Sequence, residues 1–259
     1  VQATRDQLDF KQLDVDLDWS SYAGKRKHYP WFILAALTLA KHGYTIVMHG
    51  AAGHTMNRVY TEQVLTCLGY PICQNDDEVE QQLQQRHFAY IPLEVISPIL
   101  ADLIGLRNVM GLRSPIHTLA RLINPFNAKA TLQAIFHPAY RGSHQQAAFR
   151  LGYKNSAVIK GEGGEFERNP DAKTLICGIK DGELYEYELP KLTDNRSPVE
   201  EELDLALFKA VWDGQQSHEY GEIAVTETMG IALYSMGACE SYEAAMQKAK
   251  ELWANRHTV

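Results

Sequence analysis

The residues best suited to chemistry begin with "WSSYAGKRKHYPW", residues 19–31, where Lys25, Arg26, Lys27 and His28 stand together between aromatics. An apolar run follows, so the order reads as strand, basic loop, helix. A helix N-terminus offers free backbone N–H groups and a partial positive charge, which makes this an anion-site geometry. Ser21 and Gly24 belong to the same loop, and Lys25, Arg26 and Lys27 would add charge-assisted bonds to a phosphate. A solvated basic turn is the plainer alternative. A second candidate is "MHGAAGHTMNR", residues 48–58. Gly50 and Gly53 allow backbone to approach a ligand closely, and His49, His54 and Arg58 could meet an anion. A histidine at a strand end can equally be structural. The third candidate is residues 111–140, "GLRSPIHTLARLINPFNAKATLQAIFHPAY", followed by "VIKGEGGEFERNP", residues 158–170.

The charge distribution gives these stretches a common theme. The chain has 259 residues and a formal net charge of −7. Residues 19–61 hold five Lys/Arg and no acid, and residues 103–161 hold eight and no acid. All 32 Asp and Glu lie elsewhere. A cleft of one sign on an acidic body concentrates ligands of the opposite sign. The longest apolar stretch, Trp31 to Ala40, is far short of the roughly 20 residues that cross a bilayer. No signal peptide is legible. Cys67, Cys73, Cys177 and Cys239 show no CxxC spacing and read as reduced thiols, so a cytoplasmic location is expected. The chain opens on Val rather than Met, and the expectation is that the start of the gene product is missing.

The elements that must position these residues alternate. Residues 14–18 read as a short strand, and Pro30 suits the first turn of a helix over 31–42 that Gly43 stops. Residues 44–50 read as a buried strand, 58–68 as a helix and 76–87 as a polar helix. "FAYIP" is a strand, and 94–106 and 112–122 read as helices. "ATLQAIF" and "NSAVIKG" are strands with a helix near 141–151 between them. Asp181-Gly182 turns a hairpin, and 199–213 and 222–253 are helical. Strands alternating with helices predict an α/β fold with a central, mainly parallel sheet flanked by helices. A single domain over 1–259 is expected, with helices 199–253 packed on it.

Together these stretches resemble the anthranilate phosphoribosyltransferase family and its relatives, the pyrimidine nucleoside phosphorylases. The family's "RTLFNVLGPLINP" matches Arg113 to Pro125 with "LINP" intact, "KHGN" matches the region of His49-Gly50, and "FLFAP…HPAM" matches "FAYIPLEVISPIL". The resemblance spans nearly the whole chain. It implies a homodimer in the full-length protein, and a helical N-terminal subdomain that is largely absent here. The departures are informative. The glycine loop "GTGGD", which cradles the diphosphate of phosphoribosyl diphosphate, corresponds to "WSSYAGKRKHYP", where only Gly24 survives. The "HPAM" histidine falls on Ser97 and the "LFN" asparagine on His117, whereas Arg113 keeps the arginine that contacts anthranilate. The magnesium-binding "DE" corresponds to Glu165-Phe166, with Glu162 and Glu167 nearby. Mg²⁺ wants carboxylate oxygens, and Phe166 supplies none. The pattern looks more like a bacterial, glycosyltransferase-like paralogous branch, at least one member of which binds nucleic acid.

Two functions are then expected. In the first, the phosphate cleft has become a groove for nucleic acid or another polyanion, using Arg58, Arg107, Arg113, Arg121, Arg141, Lys154 and Lys160 beside the basic loop. Trp19, Tyr22, Tyr29 and Trp31 would stack bases. In the second, the chain is a pentosyl transferase. It would use phosphoribosyl diphosphate with Mg²⁺ and an aromatic or nitrogen acceptor, with His49 and Arg113 as catalytic candidates. The basic segments serve the first function only if they share one face.

Overall fold

Alternation of short apolar strands with longer amphipathic segments builds a layered structure. The computed structural model describes residues 1–53, 57–111 and 115–258. Among these, the strands are β1 (Leu17–Ser21), β2 (Ile46–Gly50), β3 (Phe88–Pro92), β4 (Ala130–Ile135), β5 (Asn155–Lys160), β6 (Thr174–Lys180) and β7 (Glu183–Leu189). They form one sheet in the order β3-β2-β1-β4-β5-β6-β7. β1 to β5 run parallel, and β6 and β7 are antiparallel. The expected α/β class and mainly parallel sheet are what the chain adopts.

Side chains along the central strands alternate between two cores, as the period of two requires. Leu17, Trp19, Ile46, Met48, Phe88 and Tyr90 join the apolar helix Trp31–Lys41 and the C-terminal helices Glu219–Ser235 and Tyr242–Ala254 in the larger core. Val47, Ala89 and Ile91 point the other way, toward Ile96, Ile104 and Ile123. Among the described residues no helix is long and apolar enough to cross a membrane.

Several boundaries differ from expectation. β1 begins three residues late, because its pairing with β2 starts at Leu17 opposite Ile46. Trp19, Ser20 and Ser21 are therefore sheet, not loop. The helix expected over 199–213 starts at Leu205, where the Asp204 carboxylate accepts from the N–H groups of Ala206 and Leu207 and caps it. The helix expected over 222–253 breaks at Gly237, whose φ of +70° ends it. Ser241 caps the restart by accepting from Ala244 N–H.

Candidate functional site

Parallel strands bring their carboxyl ends to one edge, where open α/β sheets bind ligands. Here β1, β2, β4 and β5 end at Ser21, Gly50, Ile135 and Lys160. Ser21 lies opposite Gly50, and Ile135 lies opposite Lys160. The two acid-free segments therefore converge on this edge, although they are far apart in sequence. One acidic stretch, Glu162 to Glu167, follows β5 and enters the same edge.

The loop after β1 is held from within. Glu165 is fully buried, and its Oε1 accepts from the N–H groups of Ala23 at 2.6 Å and Gly24 at 2.7 Å. Gly24 has φ +65°, and a Cβ there would sit 3.0 Å from Val59 O and 3.1 Å from the Tyr60 ring. Arg58 Nη1 donates to the carbonyls of Ala23 and Gly24. Lys25 is 1% exposed. Its Nζ lies 2.8 Å from Glu167 and 3.0 Å from Glu162. Burial opposes the lysine's charge, but Glu167 and Glu162 outweigh it and hold its pKa above the ordinary value. The other Glu167 oxygen accepts from Phe32 N–H at 2.9 Å, at the start of the helix Trp31–Lys41. The loop and helix N–H groups expected to meet a ligand anion are thus met by the chain's own Glu165 and Glu167.

This arrangement corrects several expectations. Lys25 is an ion-pair partner in the interior, not a free phosphate ligand. Arg58 braces the loop backbone. Ser21 is buried, with its hydroxyl 2.6 Å from Thr61 Oγ1. His28 Nδ1 lies 2.8 Å from Pro198 O and 2.9 Å from Ser197 Oγ, tying the loop to residues 197–198. Gly50 admits close backbone approach, but to Ser21: an added Cβ would lie 1.9 Å from Ser21 O. His49 is fully buried, with Nδ1 2.7 Å from the Tyr22 hydroxyl and Nε2 3.3 Å from Asp18. It is the middle of an interior Asp18–His49–Tyr22 chain and does not face solvent. Trp19, Tyr22, Tyr29 and Trp31 are buried as well, so none is a stacking platform.

The carboxylates named for a metal do not fit one as arranged. Glu165 and Glu167 each spend an oxygen on backbone N–H, Glu167 and Glu162 meet Lys25, and Phe166 is core. Among the described residues no group of three or more His, Cys, Asp or Glu is placed to hold a metal ion.

What remains open at the edge is different. Arg26, Lys27 and Lys160 are exposed there, whereas Lys154, expected to join them, precedes β5 and is exposed at the opposite, amino edge of the sheet. Arg141 is half-buried at the start of the helix Arg141–Arg150, and Arg107 is half-buried in the short helix Arg107–Met110. Arg113 and His54 lie outside the described residues. Next to Arg141, Phe136 is 51% exposed and Tyr140 57% exposed. Their rings flank His137, at 4.8 Å and 6.2 Å between centroids. Sequence reasoning ended a strand at Phe136 and included "HPAY" in the third candidate stretch without giving these residues a role. Two aromatics with a histidine between them, just before an arginine, was the available signal.

Behind this rim lies a cavity of about 370 Å³. Tyr22, Arg121, His117 and His144 line it, with Phe136, His137 and Tyr140 at its mouth. Arg121 is 7% exposed, its guanidinium 5.8 Å from the Tyr22 ring centroid, and its Nη1 has no hydrogen-bond partner. Burial lowers its pKa, with Glu165 and Tyr22 opposing. His144 Nδ1 is 3.1 Å from Gln133 Oε1. Burial and then Arg121 push the His144 pKa down to about 4.

Known proteins share this architecture. Anthranilate phosphoribosyltransferase of Cupriavidus pinatubonensis is 28% identical over 220 residues, covering 82% of this chain and 59% of that protein. The Cupriavidus necator enzyme is also 28% identical and is covered to 64%. The chain thus spans about three fifths of the length of these curated relatives. An uncharacterised protein of Aquifex aeolicus is 27% identical over 261 residues, covering 97% of this chain and 79% of that one. Among solved structures, anthranilate phosphoribosyltransferase from Thermus thermophilus superposes with a TM-score of 0.77 at 21% identity, over 98% of this chain and 78% of that one. The Saccharomyces cerevisiae enzyme, solved in complex with PRPP and Mg, gives 0.73 at 14%, over 98% and 74%. The model of the glycosyl transferase family a/b domain matches residues 33–258. With a match over most of its length and a sheet of the same architecture, this chain belongs to that glycosyl transferase family.

Proposed function

We propose that this phosphoribosyltransferase-like chain binds nucleic acid, or another polyanion of that kind, along the carboxyl edge of its sheet. In this reading it does not carry out anthranilate phosphoribosylation. The observation that carries the reading is Glu165 seated on the N–H groups of Ala23 and Gly24. The loop's anion donors already have an anion, so a diphosphate would have to displace a buried carboxylate. The cations still facing water are Arg26, Lys27 and Lys160. They suit neutralisation of successive phosphates, which supplies affinity without sequence preference. The exposed rings of Phe136 and Tyr140 suit base stacking, which single-strand binders combine with such a groove.

A second reading, transfer from phosphoribosyl diphosphate to an aromatic or nitrogen acceptor with Mg²⁺, draws on the activity of the curated relatives. The engagement of Glu162, Glu165 and Glu167 counts against it.

The test is fluorescence anisotropy of a labelled single-stranded oligonucleotide across a salt series. The protein runs beside an Arg26→Ala/Lys27→Ala double variant, which leaves the buried Lys25 intact. Binding is expected to weaken steeply with salt, and the log–log slope of the variant should be shallower by about one to two. No binding at low salt, together with Mg²⁺-dependent consumption of phosphoribosyl diphosphate, would replace this reading with the second.

A further inference from the structure

The cavity behind the aromatic rim holds a feature that the polyanion surface does not need. Arg121 sits in an apolar helical turn, nine-tenths buried, with one guanidinium nitrogen lacking any hydrogen-bond partner. A buried charged group with an unmade hydrogen bond is expensive to maintain. The nearby acid Glu165 has its Oε1 met by two backbone N–H groups and its Oε2 without a hydrogen-bond partner; it supports the Arg121 charge through space, with no direct ion pair between them. The guanidinium therefore keeps hydrogen-bonding capacity, and it lines the cavity. The cavity mouth carries Phe136, His137 and Tyr140, two of them with rings more than half exposed. A fixed cation at depth and flat rings at the entrance match a ligand with an anionic tip and an aromatic plane.

We infer that this cavity receives a nucleoside monophosphate, presented as the phosphorylated end of a nucleic-acid strand, with the terminal phosphate on Arg121 and the base on the Phe136–Tyr140 rim. The inference deepens the polyanion reading and rests on it for the strand that follows. The choice of a terminal phosphate follows from charge. A phosphomonoester carries about −1.5 to −2 near neutral pH, against −1 for an internal diester. A single buried guanidinium discriminates between them, whereas surface lysines and arginines sum over many diesters. The volume of about 370 Å³ lies at the small end of ligand sites, which suits one nucleotide. His144, held by Gln133, contributes a neutral wall.

The experiment compares one single-stranded sequence bearing a 5′-phosphate, a 3′-phosphate or hydroxyl ends. Binding is measured to the native chain, to Arg121→Met and to Arg26→Ala/Lys27→Ala. A fluorescent nucleoside monophosphate serves as a separate small probe. The native chain is expected to prefer one phosphorylated end by about tenfold or more, the size of a charge-assisted hydrogen-bond set. Arg121→Met should abolish that preference, while the surface double variant weakens all oligonucleotides alike. Equal affinity for phosphate and hydroxyl ends in the native chain overturns the inference and leaves the polyanion reading standing. That arm needs no variant to fold. A nucleoside monophosphate that binds through Arg121 while no oligonucleotide binds keeps the cavity as a nucleotide site and overturns the strand reading. Preference retained in a folded Arg121→Met variant assigns the end to another site and overturns the role given to Arg121.

Discussion

Two loops at the same sheet edge solve the problem of charge in opposite ways. The loop after β1 is rich in cations and closed: Lys25 is paired with Glu162 and Glu167, and Glu165 occupies its N–H groups. The turn after β4, residues 136–141, has a single Lys or Arg, Arg141, and is open, with Phe136 and Tyr140 in water. Counting cations alone ranks the first loop above the second as a ligand site, and the contacts reverse that order. Burying a charge without a partner is costly. A lysine that the fold draws inside is therefore consumed by acids, while residues at the rim stay available.

The largest expected effect comes from breaking the closed loop. Lys25→Ala leaves Glu167 buried beside Glu162 without its cation, and removing one partner of a buried pair costs about 3–5 kcal/mol. Urea denaturation should show that loss. A change below about 1 kcal/mol would mean that Lys25 reaches solvent, and would restore it as a phosphate ligand. The open rim is expected to behave in the opposite way. Phe136→Ala with Tyr140→Ala should leave stability nearly unchanged, since both side chains are exposed. Single-strand affinity should fall by about 1–3 kcal/mol for each stacked base. Unaltered affinity would remove the rim from the binding surface.

An effect confined to acid pH, and so the smallest near neutrality, distinguishes the cavity wall from both loops. His144 has its pKa lowered from 6.5 to about 4, first by burial and then by Arg121. The folded protein keeps this imidazole neutral while the unfolded chain protonates near 6.5. Its share of the stability is therefore present above pH 6.5 and is lost as pH falls from there toward 4. His144→Gln should flatten the acid side of the stability profile within that window. An unchanged slope would show that His144 is not held neutral in the fold.

Local chemistry made much of the fold legible. Gly43 ends the helix Trp31–Lys41, and Asp181-Gly182, both at positive φ, turns the β6–β7 hairpin. "FAYIP" forms β3 with the expected bounds. The strand–loop–helix order after β1 marked backbone N–H groups that need an acceptor, and in the structure Glu165 and Glu167 supply it. The absence of acids near the basic loop was misleading. Lys25 meets Glu162 and Glu167 across 137 and 142 residues, and a charge census along the chain cannot register a pairing that parallel strand order creates.

The sequence by itself determined the element types, the α/β class and the two acid-free segments, since propensity, turn chemistry and composition are properties of neighbouring residues. Only the tertiary structure decided which cations are buried, which aromatics are exposed, and which anion fills the loop. Trp19, Tyr22, Tyr29 and Trp31 entered the core while Phe136 and Tyr140 stayed outside. That sorting depends on the sheet register and on which faces are covered by helices, and both come from contacts between residues far apart in the chain.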